Sequence, residues 1–364
     1  MSENQEKKKF TASPIFFVIV TVIVGFVAGV SGYAVVTSTG LPFIGRVNVS
    51  NATNNQQIVI DQPRNVIVQE DVQFNQVEND LLPALVNLYN LKKDTNNLTR
   101  SYLPSELLGQ GFVLTADGWV VTSKSAIANQ KYRYAAIGYQ AKKYEIGDFV
   151  EDSATGLLFG KMASNNLTVA KIGDDTKLQS GQSVVLAQGN KLVLAHIKNI
   201  GYDFKVRTDL VQSSESFNKQ IFLDVSLAGV PDGAVVTDLK AQVVGVVVGG
   251  KVVLIDYLKS AINQVLGGQK ITRPVLGVNY IDLAQVDGLG DISDRGALVY
   301  GSPAKASPAL GKLKDGDLIK KVDDSELNVY QGLAEIIGNY KKGDKVDLLI
   351  TRSGKDQTVE IQLN

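Results

Sequence analysis

The 364-residue chain has no cysteine and a single histidine, His196. The missing thiols exclude disulfide frameworks, thiolate nucleophiles and cysteine zinc sites together. The shortage of imidazole bears harder on function, because imidazole is the usual proton shuttle of hydrolytic sites. No charge of one sign is in excess either. The 37 Lys and Arg balance 37 Asp and Glu, so no nucleic-acid partner and no acidic tail are indicated. Neither a metal nor another cofactor is expected. What remains is ordinary: 44% hydrophobic and 20% charged residues, in a length that fits two or three domains.

One long apolar run is present. At 14–36 the chain reads PIFFVIVTVIVGFVAGVSGYAVV, without a charged side chain. About 23 helical residues rising 1.5 Å each span a bilayer core of roughly 30 Å. Lys7, Lys8 and Lys9 precede the run and Arg46 is the next basic residue. Positive charge stays inside, so 1–13 is expected as a cytoplasmic tail, 14–36 as a single membrane span and the bulk as extracytoplasmic, periplasmic or extracellular. A cleaved signal peptide is the alternative, but the run exceeds a signal core and lacks a convincing small-x-small cleavage site. Residues 37–76 are rich in Asn and Gln, with pieces such as QQIVIDQ and NVIVQE, and read as a mostly extended linker with a strand or two.

From 84 to 253 short β-type runs recur, among them GFVLT, WVVTS, SVVLAQ, KLVLAHI and QIFLDVSL, each broken by Gly, Asp or Asn. That spacing predicts a barrel or sandwich rather than βαβ units. DYLKSAINQVL (256–266) has apolar residues at helical spacing and stops at Gly267-Gly268.

PALVNLY (83–89), GQGFVLTADGWVVTS (109–123), VAKIGDDTKLQSGQSVVLAQGN (169–190), AQVVGVVV (241–248) and ITRPVLGV (271–278) follow one another in an order that resembles the HtrA/DegP family of serine proteases. The resemblance runs from about 77 to 364. It implies a mainly β chain: a trypsin-like double β-barrel over 77–268 and a PDZ domain over 273–364, behind the transmembrane helix.

The resemblance also locates a catalytic triad, and each position is replaced. The family's DG-[YW]-[IV]-x-T-N strand leads into the catalytic His; here DGWVVTSKSAI puts Ser125 there. In DSATGLLFGK, Asp152 matches an earlier acid and Gly156 holds the place of the catalytic Asp. In LDVSLAGVPDGAVV, Asp224 matches an earlier Asp and Asp232 takes the nucleophile's seat. A carboxylate is a weak nucleophile towards amides and repels a developing oxyanion. Val230 stands where the family's oxyanion loop has a Gly, and Gly156 has no side chain to orient an imidazole. The implied protein is a catalytically inactive scaffold for peptides or proteins, in extracytoplasmic quality control or signalling. The other reading is an active endopeptidase with an unconventional site at Ser125, Asp232 or His196.

His196, in KLVLAHIKN, is expected as an edge or partly buried imidazole on a non-catalytic strand. A Ser125/Lys124 dyad is disfavoured because neighbours on a strand face opposite ways. Asp152, Asp224 and Asp232 read as capping or solvated acids rather than cation ligands.

RPVLGV (273–278) resembles a PDZ carboxylate-binding loop and strand, and GALVYGSPAKASPALGKLKDGDLIKKVDD (296–324) the run that follows it. A helix around 331–339 and the strands KVDLLITRSG and DQTVEIQL complete the pattern. The resemblance assigns peptide binding to Val275, Leu276, Gly277 and Val278. The amides of Leu276, Gly277 and Val278 would face a C-terminal carboxylate while the strand edge takes up the peptide. The alternative is a buried strand start whose groove is covered by the neighbouring domain. Protein C-termini and a homotrimer are the partners implied.

Overall fold

The computed structural model describes residues 22–25, 27, 69–92, 100–286, 288 and 295–364. The span expected at 14–36 lies outside the described residues except for Val22, Ile23, Val24, Gly25 and Val27, which are helical and exposed. Among the described residues no helix is long and apolar enough to cross a membrane.

The linker is the first correction. Residues 37–68 lie outside the described residues, but Gln69–Leu81 is a helix, α1, where an extended spacer was expected up to 76. Phe74, Val77 and Leu81 recur at helical spacing, and Val77 and Leu81 are fully buried in the core. Pro83 then ends the helix in a 3-10 turn, Leu82–Ala84.

Six strands follow: β1 (Leu85–Asn90), β2 (Gly109–Val113), β3 (Trp119–Ser123), β4 (Tyr134–Ile137), β5 (Lys143–Asp152) and β6 (Leu157–Met162). They close into a barrel in the order β1-β2-β3-β6-β5-β4. A bulge in β5 between Gly147 and Val150, with Asp148 in the left-handed region, supplies curvature for that closure.

The next group is β7 (Lys171–Ile172), β8 (Ser183–Gln188), β9 (Lys191–Gly201), β10 (Val211–Ser213), β11 (Gln220–Leu223), β12 (Val235–Thr237), β13 (Gln242–Val248) and β14 (Lys251–Leu254). The order β12-β8-β9-β11-β14-β13 is closed by pairing of β12 with β13, and β7 joins β13 in parallel. Helix α2 (Asp256–Leu266) lies where the sequence places it.

These strands read as near-continuous apolar runs because both of their faces are covered. Neighbours point to opposite sides: Val120 and Leu158 fill the first barrel, whereas Val121, Leu157 and Phe159 turn outward. On the second barrel Val236, Val244 and Val247 face in, and Val235, Val243 and Val246 face out. The outward sets meet Leu258 and Val265 of α2 and the buried face of α1 in one core between the barrels.

The third sheet holds β15 (Asn279–Asp282), β16 (Ala297–Val299), β17 (Leu318–Val322), β18 (Ser325–Glu326), β19 (Lys345–Arg352) and β20 (Lys355–Gln362), with a short helix α3 (Leu333–Ile337). Its order is β10-β15-β16-β17-β19-β20, with β18 on β17. Its edge strand β10 comes from the stretch read as the second barrel.

Candidate functional site

Two places carry the residues singled out in the sequence. The first is a cleft lined by Lys124, Ser125, Glu151, Gly156, Val248 and Gly249, among others. Ser123 caps a 3-10 turn, Lys124–Ala126, by accepting the Ser125 N–H at 3.2 Å. That turn brings the Ser125 hydroxyl to 2.6 Å from the Ser123 hydroxyl, and the Lys124 N–H donates to Gly156 O at 2.9 Å. The Lys124 ammonium is spent on Glu151, 2.6 Å away, and holds that carboxyl below the usual range. It does not activate Ser125.

Asp232 is tied to the same rim. Its Oδ1 accepts the Gly249 N–H at 2.7 Å, and its carbonyl accepts the Gln110 N–H at 2.7 Å. Gly233, at φ +82°, donates to Val247 O at 2.7 Å. The Val230 N–H is taken by Leu227 O at 3.1 Å, and Pro231 has none to offer. The Val230 N–H, at a position that would face an oxyanion, is turned into the loop's own hydrogen bond.

His196 lies on β9 and is absent from the lining of this cleft. Its Nδ1 is 2.9 Å from Asp224 Oδ2, and its backbone N–H donates to Asp224 Oδ1 at 2.7 Å. The backbone and side-chain hydrogen bonds from His196 hold the Asp224 carboxyl below its usual range. The pair clasps β9 to β11 at a half-exposed surface position.

Asp152 is a third, separate case. It is buried and pairs with Arg273, while Thr155 Oγ1 donates to it at 2.8 Å. The three aspartates are therefore each engaged with different partners. No group of three or more metal-ligating side chains exists among the described residues.

The second place is the loop 275–278. Gly277 sits at φ +76°, and a Cβ there would lie 2.5 Å from Ser307 Oγ. Ser307 in turn donates to Leu276 O at 2.9 Å, which fixes the loop. The N–H groups of Leu276 and Gly277 then converge on one oxygen, the Oε1 of Glu215, at 3.0 and 2.8 Å. The Val278 N–H meets Ser214 Oγ at 3.0 Å, and Ser214 N–H donates to Val278 O at 2.9 Å. Val275 is held differently. Its N–H donates to Asn364 O at 2.9 Å, so it pairs with the end of the chain and not with the groove. Sequence reasoning missed Ser214 and Glu215 altogether. Within SSES they look like any polar turn, and nothing local marks them.

A buried polar junction fixes the third sheet to the second barrel. Lys219, with no side-chain exposure, lies 3.5 Å from Asp282 and 3.6 Å from Glu335. Tyr257 of α2 donates to Glu335 at 2.6 Å, and Arg273 donates to Tyr257 O at 2.7 Å. Nearby, Asp175 is buried and accepts the Asp256 N–H at 2.9 Å. Burial first, and the Asp256 carboxylate second, push its pKa up to about 8. A carboxyl raised in this way contributes stability while protonated, and that contribution is lost as pH climbs from the ordinary carboxylate range through about 8. Asp175→Asn keeps an acceptor oxygen without the charge. Its urea midpoint is expected to fall less than the wild type's between about pH 5 and pH 8.5; parallel curves would show that Asp175 does not titrate there.

Residues 274–363 match the family model described as PDZ domain. A "Probable periplasmic serine endoprotease DegP-like" of Pseudomonas putida (strain GB-1) is 28% identical over 284 residues, covering 71% of this chain and 56% of the relative. The similarly described protein of Marinomonas sp. (strain MWYL1) is 25% identical over 280 residues, 70% of this chain and 56% of its own. The chain thus spans little more than half the length of these relatives. A "Serine protease Do-like HtrA" of Lactobacillus helveticus aligns over 100% of this chain and 98% of its own length at 23% identity. Among solved structures, "HtrA-type protease AlgW with tripeptide" superposes with a TM-score of 0.57 at 16% identity, covering 80% of this chain and 96% of that one. At that identity the shared property is the fold. Two barrels joined by one core, followed by the third sheet, give this chain a trypsin-like double-barrel fold with a C-terminal PDZ domain, similar to that of HtrA/DegP-type proteases.

Proposed function

We propose that this chain is an extracytoplasmic, membrane-anchored HtrA-like pseudoprotease that acts by binding peptides or protein C-termini through its PDZ groove. The observation that carries the reading is chemical. The cleft lined by Ser125 and Gly156 contains no imidazole, and the chain's single histidine is bonded to Asp224 on another strand pair. Amide hydrolysis needs a nucleophile, a base within hydrogen-bond reach and donors for the oxyanion. Ser125 has only another hydroxyl beside it, Asp232 is held by Gly249, and the Val230 N–H is turned away. Loss of a whole triad costs on the order of 10⁶ in kcat in a serine protease.

Extracytoplasmic placement draws support from relatives described as periplasmic and from the lysines that precede the apolar run. Leu276, Gly277 and Val278 are the residues we assign to peptide recognition, through backbone N–H groups aimed into one groove. The resemblance adds a homotrimer, and a role in quality control or signalling.

The test is turnover of unfolded casein by the purified chain, with a fluorophosphonate probe beside it. No cleavage and no labelling are expected. The variant Asp232→Ser restores a hydroxyl at the nucleophile position but supplies no base, so it too is expected to stay inert. Cleavage that Ser125→Ala or His196→Ala abolishes would establish an active enzyme instead.

A further inference from the structure

The edge of the PDZ sheet is already filled, by the chain itself. Strand β10 runs antiparallel to β15, with Val211 opposite Ile281, Gln212 opposite Tyr280 and Ser213 opposite Asn279. Beyond it Ser214 continues the ladder to Val278, and the Glu215 carboxylate ends in the loop on the N–H groups of Leu276 and Gly277. An added strand with a carboxylate at the loop is the pattern by which such grooves take a peptide terminus. We propose that residues 211–215 are an internal ligand, that Glu215 is the surrogate of a C-terminal carboxylate, and that a peptide with a free C-terminus binds only by displacing it. The inference rests on reading this groove as a carboxylate-binding peptide site.

The local chemistry is built for that imitation. A side-chain carboxylate must be bent back to lie where a chain terminus would. Ser214 Oγ donates to Glu215 Oε1 at 2.6 Å and Ser213 Oγ to Oε2 at 2.8 Å, holding both oxygens in place. The two ends of the segment differ. On the far side Phe217 packs edge-on against Tyr257 at 4.8 Å and lies under the Arg273 guanidinium at 4.6 Å, and Lys219 is buried two residues later. On the near side Val206 and Arg207 are exposed. The segment is anchored at 217–219 and free to peel from 206 onward, so displacement need not break the buried junction.

An internal competitor weakens every outside ligand by the fraction of time the groove is free. Removing the Glu215 charge is expected to strengthen outside binding about tenfold, the size of one lost charge-assisted hydrogen-bond pair. The probe is a pool of fluorescent octapeptides with randomised sequence and an apolar last residue, as free acid and as C-terminal amide. It is titrated by anisotropy into the full-length chain and into Glu215→Gln and Glu215→Ala. Hydrogen exchange at the Leu276 and Gly277 amides is read on each ligand-free protein. Free-acid binding that tightens about tenfold in both variants, no gain for the amide, and faster exchange at both amides in Glu215→Ala support the proposal. Equal free-acid affinity in all three proteins, with amides equally fast, overturns self-occupancy and leaves the peptide reading standing. Protected amides with no binding of either probe to any protein sink the peptide reading, and the competition falls with it.

Discussion

Gly233→Ala is expected to lower stability by about 3–5 kcal/mol, through crowding at the barrel junction together with a left-handed backbone that disfavours a Cβ. The position sits in GVPDGAVV, where the first barrel touches the second. A Cβ there would lie 1.8 Å from Gln110 O and 2.7 Å from Thr122 Oγ1, both in the first barrel. The residue cannot retreat, because its own N–H is bound to Val247 O of the second barrel and its neighbour's carbonyl to the Gln110 N–H. The melting temperature is expected to fall by on the order of 10 °C. Gly229→Ala, four residues earlier, is the control. It has a similar φ of +78° but open space around the missing Cβ, so only the backbone cost of about 1–2 kcal/mol applies. Equal losses in the two variants would show that the close approach to Gln110 does not exist.

Lys219→Met is expected to cost about 3–5 kcal/mol, because it strands buried carboxylates rather than removing a surface pair. Asp282 and Glu335 both lie within 3.6 Å of the Lys219 ammonium; Asp282 is buried, and the Glu335 side chain is only 8% exposed. Burial raises the Asp282 pKa even with the lysine opposing it. Such a carboxyl contributes stability when protonated and loses it as pH rises through the raised value. The damage in Lys219→Met is therefore expected to shrink on acidification and to be largest above neutrality. Calorimetry is expected to split one transition into two, with the PDZ module melting first. Adding Asp282→Asn and Glu335→Gln is expected to recover part of the loss. An undiminished midpoint in the single variant, or a loss that grows towards low pH, would refute the junction.

The barrels were legible in the sequence because their signal is local. Runs such as WVVTS and QVVGVVV are dense in β-branched residues, and both faces of those strands are buried, so no polar alternation dilutes them. α2 was legible for the same reason, its apolar period ending at a Gly pair. The last eight residues of the linker were misread because the short alternating pieces upstream outweighed the Phe74-Val77-Leu81 spacing. His196 was expected on a strand away from catalysis and is found paired with Asp224. Asp152 was expected to cap or to face water; it does accept the Ala154 N–H at 3.3 Å, but it is buried, against Arg273 more than a hundred residues away.

Composition alone settled that any cleft in this chain has at most one imidazole to draw on and no thiol. Local patterning settled that the chain folds into strands, and resemblance pointed to a PDZ domain at its C-terminal end. Only the tertiary structure decided what meets the N–H groups of Leu276 and Gly277. Glu215 stands 62 positions from Gly277, on a segment with no periodic signal of its own. Hydrogen-bond donors left facing a groove demand an acceptor, and it is packing of β10 against β15, not anything in the letters near 215, that delivers one.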